Sequence, residues 1–77
     1  MNKHTATFNG HTFTRNSKAR TYSHVVLEVR ADGSPQLGSV TWCGRPDLAE
    51  KVKRSYERLP GIAAKGHSVH MIEATIQ

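Results

Sequence analysis

Asn9-Gly10 constrains this chain more than any other pair of residues. It lies within Thr5-Ala6-Thr7-Phe8-Asn9-Gly10-His11-Thr12-Phe13-Thr14, where side-chain character alternates on both sides. A two-residue loop between antiparallel strands needs positive φ at both central positions, and Asn-Gly meets that need at low steric cost. The loop length then sets the register. Phe8 faces His11, Thr7 faces Thr12, and Ala6 faces Phe13. One face carries Ala6, Phe8, His11 and Phe13, and is expected to look inward. The other carries Thr5, Thr7, Thr12 and Thr14, and is expected to meet water. An isolated hairpin is marginal in water, so this one requires a partner layer.

Tyr22-Ser23-His24-Val25-Val26-Leu27-Glu28-Val29-Arg30 is the strongest strand pattern. Val25, Leu27 and Val29 define one face. Tyr22, His24, Val26, Glu28 and Arg30 define a more polar one. The strand is expected near the middle of a sheet. Ala31-Asp32-Gly33-Ser34-Pro35 is a turn centred on Asp-Gly. Gln36 to Cys43 reads as the next strand, with either face eligible for burial and Trp42 at least partly covered. His67 to Ile76 reads as the last strand, with Ile72, Ala74 and Ile76 on one face in line with His70.

Between these strands, Pro46 to Leu59 is the one clear helix. Pro46 suits the first helical position, where its missing N–H costs nothing. Asp47 sits at the positive end of the dipole. Leu48, Val52, Tyr56 and Leu59 form an apolar stripe with Ala49 beside it, and Leu59-Pro60-Gly61 ends the segment. Ile62-Ala63-Ala64-Lys65-Gly66 reads as a short connection with room for one more helical turn. The predicted order is β-β-β-β-α-β. The fold class is α+β, an antiparallel β-sheet with one helix packed on one face. Its core is expected to be one layer of side chains between that sheet and the helix.

A chain of 77 residues reads as one small domain, residues 1–77, which buries only roughly 60% of the surface its unfolded form exposes. Cys43 is the sole cysteine, so no internal disulfide supports the fold, in keeping with a reducing cytoplasm. Met1-Asn2-Lys3-His4-Thr5 lacks the apolar core of a secretory signal. No apolar run approaches the roughly 20 residues needed to span a bilayer. Eleven basic side chains against six acidic ones give a formal charge of +5 and a pI near 9.9. That balance serves solubility and also favours an anionic partner: nucleic acid, an acidic protein surface, or a protein groove that normally holds nucleic acid.

Catalytic and metal chemistry find little support in the residue pattern. His67 and His70 are three apart, which places them on opposite faces of a strand. Cys43 has no CxxC partner. No metal, cofactor or glycine-rich phosphate loop is implied. Asp47 with Lys51 and Glu50 with Arg54 are i,i+4 pairs that support a helix. A small ribonuclease toxin using His24, His67 or His70 is the sharpest enzymatic alternative, because Gly66-His67-Ser68 loosely matches the Gly-Ser-His of one toxin family. The order of elements differs from that family, however.

The basic side chains fall into three clusters. Arg15, Lys18 and Arg20 lie in Arg15-Asn16-Ser17-Lys18-Ala19-Arg20-Thr21, which reads as a loop followed by Tyr22. Lys51, Lys53, Arg54 and Arg58 lie on the helix, diluted by Asp47, Glu50 and Glu57. Lys3 and Lys65 lie near strand ends. Phosphate contacts need charge and reach. Base readout on a sheet needs exposed aromatic pairs, and Tyr22 stands alone.

The segment Phe13-Thr14-Arg15-Asn16-Ser17-Lys18-Ala19-Arg20-Thr21-Tyr22-Ser23-His24-Val25-Val26 resembles small phage and mobile-element proteins of unassigned function. These carry a similar Thr-Arg-x-Ser…Arg-x-Tyr-x-His-Val-Val stretch after a short hairpin, then a basic helix. The resemblance implies a non-enzymatic binding protein, acting in the host cytoplasm, that inhibits a nucleic-acid-handling complex in the manner of anti-CRISPR proteins. The expected binding residues are Arg15, Lys18, Arg20 and Tyr22, supported by Lys51, Arg54 and Arg58. Their partner would be an acidic protein surface or a nucleic-acid-containing host complex, with no membrane involved. A direct, weakly specific DNA- or RNA-binding module using the same residues is the alternative.

Overall fold

A computed structural model describes residues 2–76. Its first element is the hairpin of β1 (Asn2–Phe8) and β2 (His11–Ser17). Asn9 and Gly10 have φ of 48° and 79°, and the register pairs Phe8 with His11, Thr7 with Thr12 and Ala6 with Phe13, as the two-residue loop requires. The threonine face is outermost: Thr7 and Thr12 are exposed, and their hydroxyl oxygens are 3.3 Å apart. Strand β2 runs to Ser17, so Arg15 and Asn16, expected in a loop, continue the ladder opposite His4 and Lys3.

Among the described residues the strands form two three-stranded antiparallel sheets, one of which includes the hairpin. Strand β3 (His24–Val29) lies between β4 (Thr41–Cys43) and β5 (Ser68–Glu73), and β1 lies between β2 and β6 (Thr75–Ile76). The last strand thus serves both sheets. It bends at Ala74, whose N–H donates to the Ser23 carbonyl at 2.8 Å. The expectation of one sheet and one covered face is corrected here. The helix α1 (Pro46–Glu57) covers one face of the central sheet and the hairpin covers the other.

Burial of β3 shows the cause. Val25, Val26 and Leu27 are all fully buried. Val26 joins Cys43, Ala49, Ile62 and Val69 beneath the helix. Val25, Leu27 and Val29 join Ala6 on the hairpin side, where Phe8, Phe13, Trp42 and Ile72 pack partly buried. A strand covered on both faces reads as a continuous apolar run. The polar flanks His24, Glu28 and Arg30 gave Val26 the look of an outward position. Two core layers replace the one expected.

The helix is rotated from its apparent stripe. Ala49 is fully buried and Val52 and Tyr56 pack inward, but Leu48 is 40% and Leu59 51% exposed. Tyr56 helps fix this rotation, its hydroxyl lying 2.6 Å from Thr41 Oγ1. A second short helix, α2 (Pro60–Ala64), seats Ile62 in the same layer. The strand expected from Gln36 is shortened because Leu37–Ser39 turns as a 3-10 helix. There Ser39 Oγ donates to the Gln36 carbonyl at 2.9 Å and accepts the Glu28 N–H at 3.1 Å. A side chain takes over bonds that a longer ladder would have made.

Burial assigns opposite consequences to two leucines. Leu27→Ala is expected to cost about 2–5 kcal/mol, and Leu48→Ala less than about 1 kcal/mol. Urea melts giving equal losses would mean that the helix buries its Leu48 side.

Candidate functional site

The open end of the hairpin is built around His4. It alternates with Ala6 and Phe8 on the inner face of β1 and is 0% exposed. A fully buried histidine must find partners for both ring nitrogens. Nε2 accepts the Tyr22 backbone N–H at 3.0 Å. The ring proton therefore sits on Nδ1, which faces the Arg15 carbonyl at 3.3 Å. One side chain thus ties β1 to the end of β2 and to the segment leading into β3.

Around it the rings of Tyr22 and Trp42 close an edge-to-face cluster. Centroid separations are 5.0 Å for His4–Tyr22, 6.4 Å for His4–Trp42 and 6.0 Å for Tyr22–Trp42. Tyr22 is 8% exposed. Expected among the binding residues, it is a core side chain with little surface of its own to offer a partner. Its role at the surface is indirect: the Arg15 guanidinium lies over its ring, 5.2 Å from the centroid. Such a contact is worth about 0.5–1 kcal/mol at an exposed site, enough to bias where the guanidinium rests.

Lys18 and Arg20 follow on an exposed bend closed by the Arg20 N–H donating to Ser17 Oγ at 2.9 Å. Among the described residues no carboxylate pairs with Arg15, Lys18 or Arg20. The residue after the bend packs on the turn between β4 and α1: a Cβ on Gly44 would stand 3.3 Å from the Thr21 carbonyl. Lys3, opposite Asn16, is exposed on the hairpin's outer face at the same end. Lys65 lies at the far end, beside Gly66, whose Cβ position is 3.7 Å from Ala31. The structure therefore separates Lys3 from Lys65.

The helix cations stand apart from Arg15, because α1 and the hairpin lie on opposite faces of the central sheet. Lys51 and Arg54 line a shallow groove of about 310 Å³ together with Asp47 and Glu50. Arg54 is 3.5 Å from Glu50, and Lys53 is 3.3 Å from Glu57. Asp47, expected to pair with Lys51, lies instead 3.5 Å from Arg45. This helix face is nearly self-neutralised, while Arg58 is exposed at its end.

The histidines weighed for catalysis occupy different places. His24 contacts Ser23 Oγ at 2.8 Å near the start of β3. His67 donates from Nδ1 to the Glu28 carboxylate near the other end of that strand. His70 faces the hairpin, 2.9 Å from Ser68 Oγ and with its ring 5.1 Å from that of Phe8. Cys43 is a buried free thiol, and its burial raises the pKa above the ordinary thiol value. Sequence reasoning missed His4. Its only signal was its place in phase with Ala6 and Phe8, on the hairpin face expected to look inward. Comparison with protein-family models, curated proteins and solved structures finds no match to this chain.

Two outcomes follow from these contacts. His4→Leu leaves the Tyr22 N–H and the Arg15 carbonyl without their partner and is expected to cost about 2–4 kcal/mol. Hydrogen exchange should show faster opening at the Tyr22 amide; an unchanged rate would remove His4 from its role as the tie. Cys43 should react with thiol reagents at neutral pH only once urea unfolds the chain. Because the folded state holds the thiol proton more tightly, stability is full below the unfolded thiol's range and declines as pH rises through the folded value. A denaturation midpoint that rises with alkalinity there would contradict the burial.

Proposed function

We propose that this protein is a non-enzymatic binding module whose basic end, Arg15, Lys18 and Arg20, engages a host nucleic-acid-handling complex and blocks its action. The supporting observation is the contrast between two sets of cations. On α1, Arg54 and Lys53 have acidic neighbours on the same helix. At the open end of the hairpin, three cations lie within six residues with no carboxylate paired to them among the described residues. Unpaired cations on an ordered scaffold are ready to form charge-assisted hydrogen bonds, and arginine adds bidentate geometry toward carboxylate or phosphate.

The resemblance of Phe13 to Val26 to small phage and mobile-element proteins supports an inhibitor of anti-CRISPR type. Its place of action would be the host cytoplasm. Among the described residues no helix is long and apolar enough to cross a membrane. In this reading Tyr22 positions Arg15 from beneath, and the helix cations contribute to the overall field.

A tagged pull-down from bacterial host lysate tests the proposal, run with and without nuclease at low and raised salt. The expected result is a defined nucleic-acid-handling complex retained by the parent protein and lost with Lys18→Gln/Arg20→Gln. Capture of the same complex by that variant, or of none by the parent, would overturn it.

A further inference from the structure

We infer that the anion taken by the basic end is the sugar–phosphate backbone of a nucleic-acid duplex, read by charge and shape without sequence preference. The inference rests on the basic end being the binding surface and names its ligand. Three features of that end converge on phosphate rather than on an acidic protein patch.

The first is the company the cations keep. Contacts to sugar and phosphate come from arginine and lysine together with serine, threonine and asparagine. Arg15, Lys18 and Arg20 share the strand end and its bend with Ser17, which lies on the Arg15 face of β2. Thr14 and Asn16 flank Arg15 on the opposite, outer face of β2, Asn16 beside Lys3, and are exposed with no side-chain hydrogen bond among the described residues. The second feature is the fate of the aromatic side chains. Protein interfaces are anchored by aromatic and arginine side chains in desolvated pockets, and single-stranded nucleic acid is held by stacking on exposed rings. Tyr22 is buried and Trp42 half-buried in the cluster with His4. The large apolar side chains left exposed, Leu37, Leu48, Leu59 and Ile76, are aliphatic and sit at separate points of the chain. Neither an aromatic anchor nor a stacking platform is offered at this end.

The third feature is preorganisation. Arg15 sits in β2 opposite His4, and its guanidinium rests on Tyr22. The bend that carries Lys18 and Arg20 is closed by Ser17. A duplex presents a regular row of charges to cations carried on such an ordered backbone. A flexible acidic peptide would have to be ordered on binding, at a cost in entropy.

Fluorescence anisotropy with labelled DNA duplex, RNA duplex, single-stranded DNA and polyglutamate tests this. The expected result is duplex binding whose log affinity falls against log salt with a slope of about −3, three cations at about −0.9 each. Lys18→Gln/Arg20→Gln, which touches no packing, should lower that slope by about 2. Lys65→Gln, at the other end of the molecule, should leave it unchanged. DNA and RNA duplexes bound alike would mark backbone charge as the feature read, and preference for one would assign the groove shape; both outcomes support the inference. Tighter binding of the single strand, equal binding of polyglutamate, or a slope indifferent to Lys18→Gln/Arg20→Gln would overturn it. If no duplex binds but that variant still loses the host complex from nuclease-treated lysate, the ligand is wrong and the binding surface stands. If neither experiment responds to the variant, both readings fall together.

Discussion

The protein depends on covering β3 from both sides. Val25, Val26 and Leu27 have no exposed surface, and each fully buried aliphatic side chain contributes about 1.5–3 kcal/mol relative to exposure. A chain this short has few such side chains. One strand that buries successive residues in opposite directions lets it form two core layers, one under α1 and one under the hairpin. A helix of 12 residues and a two-stranded hairpin are each marginal alone. They are mutually stabilising only because the central sheet lies between them, and the bend at Ala74 carries one strand from that sheet into the hairpin's own ladder.

The same arrangement creates the candidate site. Docking the hairpin on the central sheet brings His4 against the segment between β2 and β3, where its two ring nitrogens meet the backbone of Tyr22 and Arg15. A buried polar side chain with both partners satisfied favours one arrangement of its surroundings, because any other leaves a desolvated group unpaired. The ring cluster of Tyr22 and Trp42 fills the space beside it. The core therefore ends in a surface feature: Arg15 over Tyr22, with Lys18 and Arg20 on the adjoining bend. Stability and presentation of charge are joined in one side chain.

Charge is distributed unevenly for a physical reason. On α1 the turn spacing lets Arg54 reach Glu50 and Lys53 reach Glu57, so much of the helix's charge is met locally. Among the described residues no carboxylate pairs with the cations at the end of β2, where alternate residues point to opposite faces. The net charge of +5 thus includes three cations without a paired carboxylate, among the described residues, where the chain leaves the hairpin. The clamp between His67 and the Glu28 carboxylate works at the other end, holding the segment after α2 to β3.

What the residues alone determined is what neighbouring residues settle between themselves. The Asn9-Gly10 turn, its register, the inward Ala6 and Phe8 and the start of α1 at Pro46 all follow from backbone preferences and spacing within a few positions. Tertiary structure decided the rest. Val26 could be placed only by knowing that a helix covers that face, and Leu48 could be turned outward only by knowing that Ala49, Val52 and Tyr56 meet the sheet. Tyr22 became a support for Arg15 because His4, 18 residues earlier, holds its backbone. Alternation reports which residues share a face, but whether that face is covered depends on a layer supplied from elsewhere in the chain.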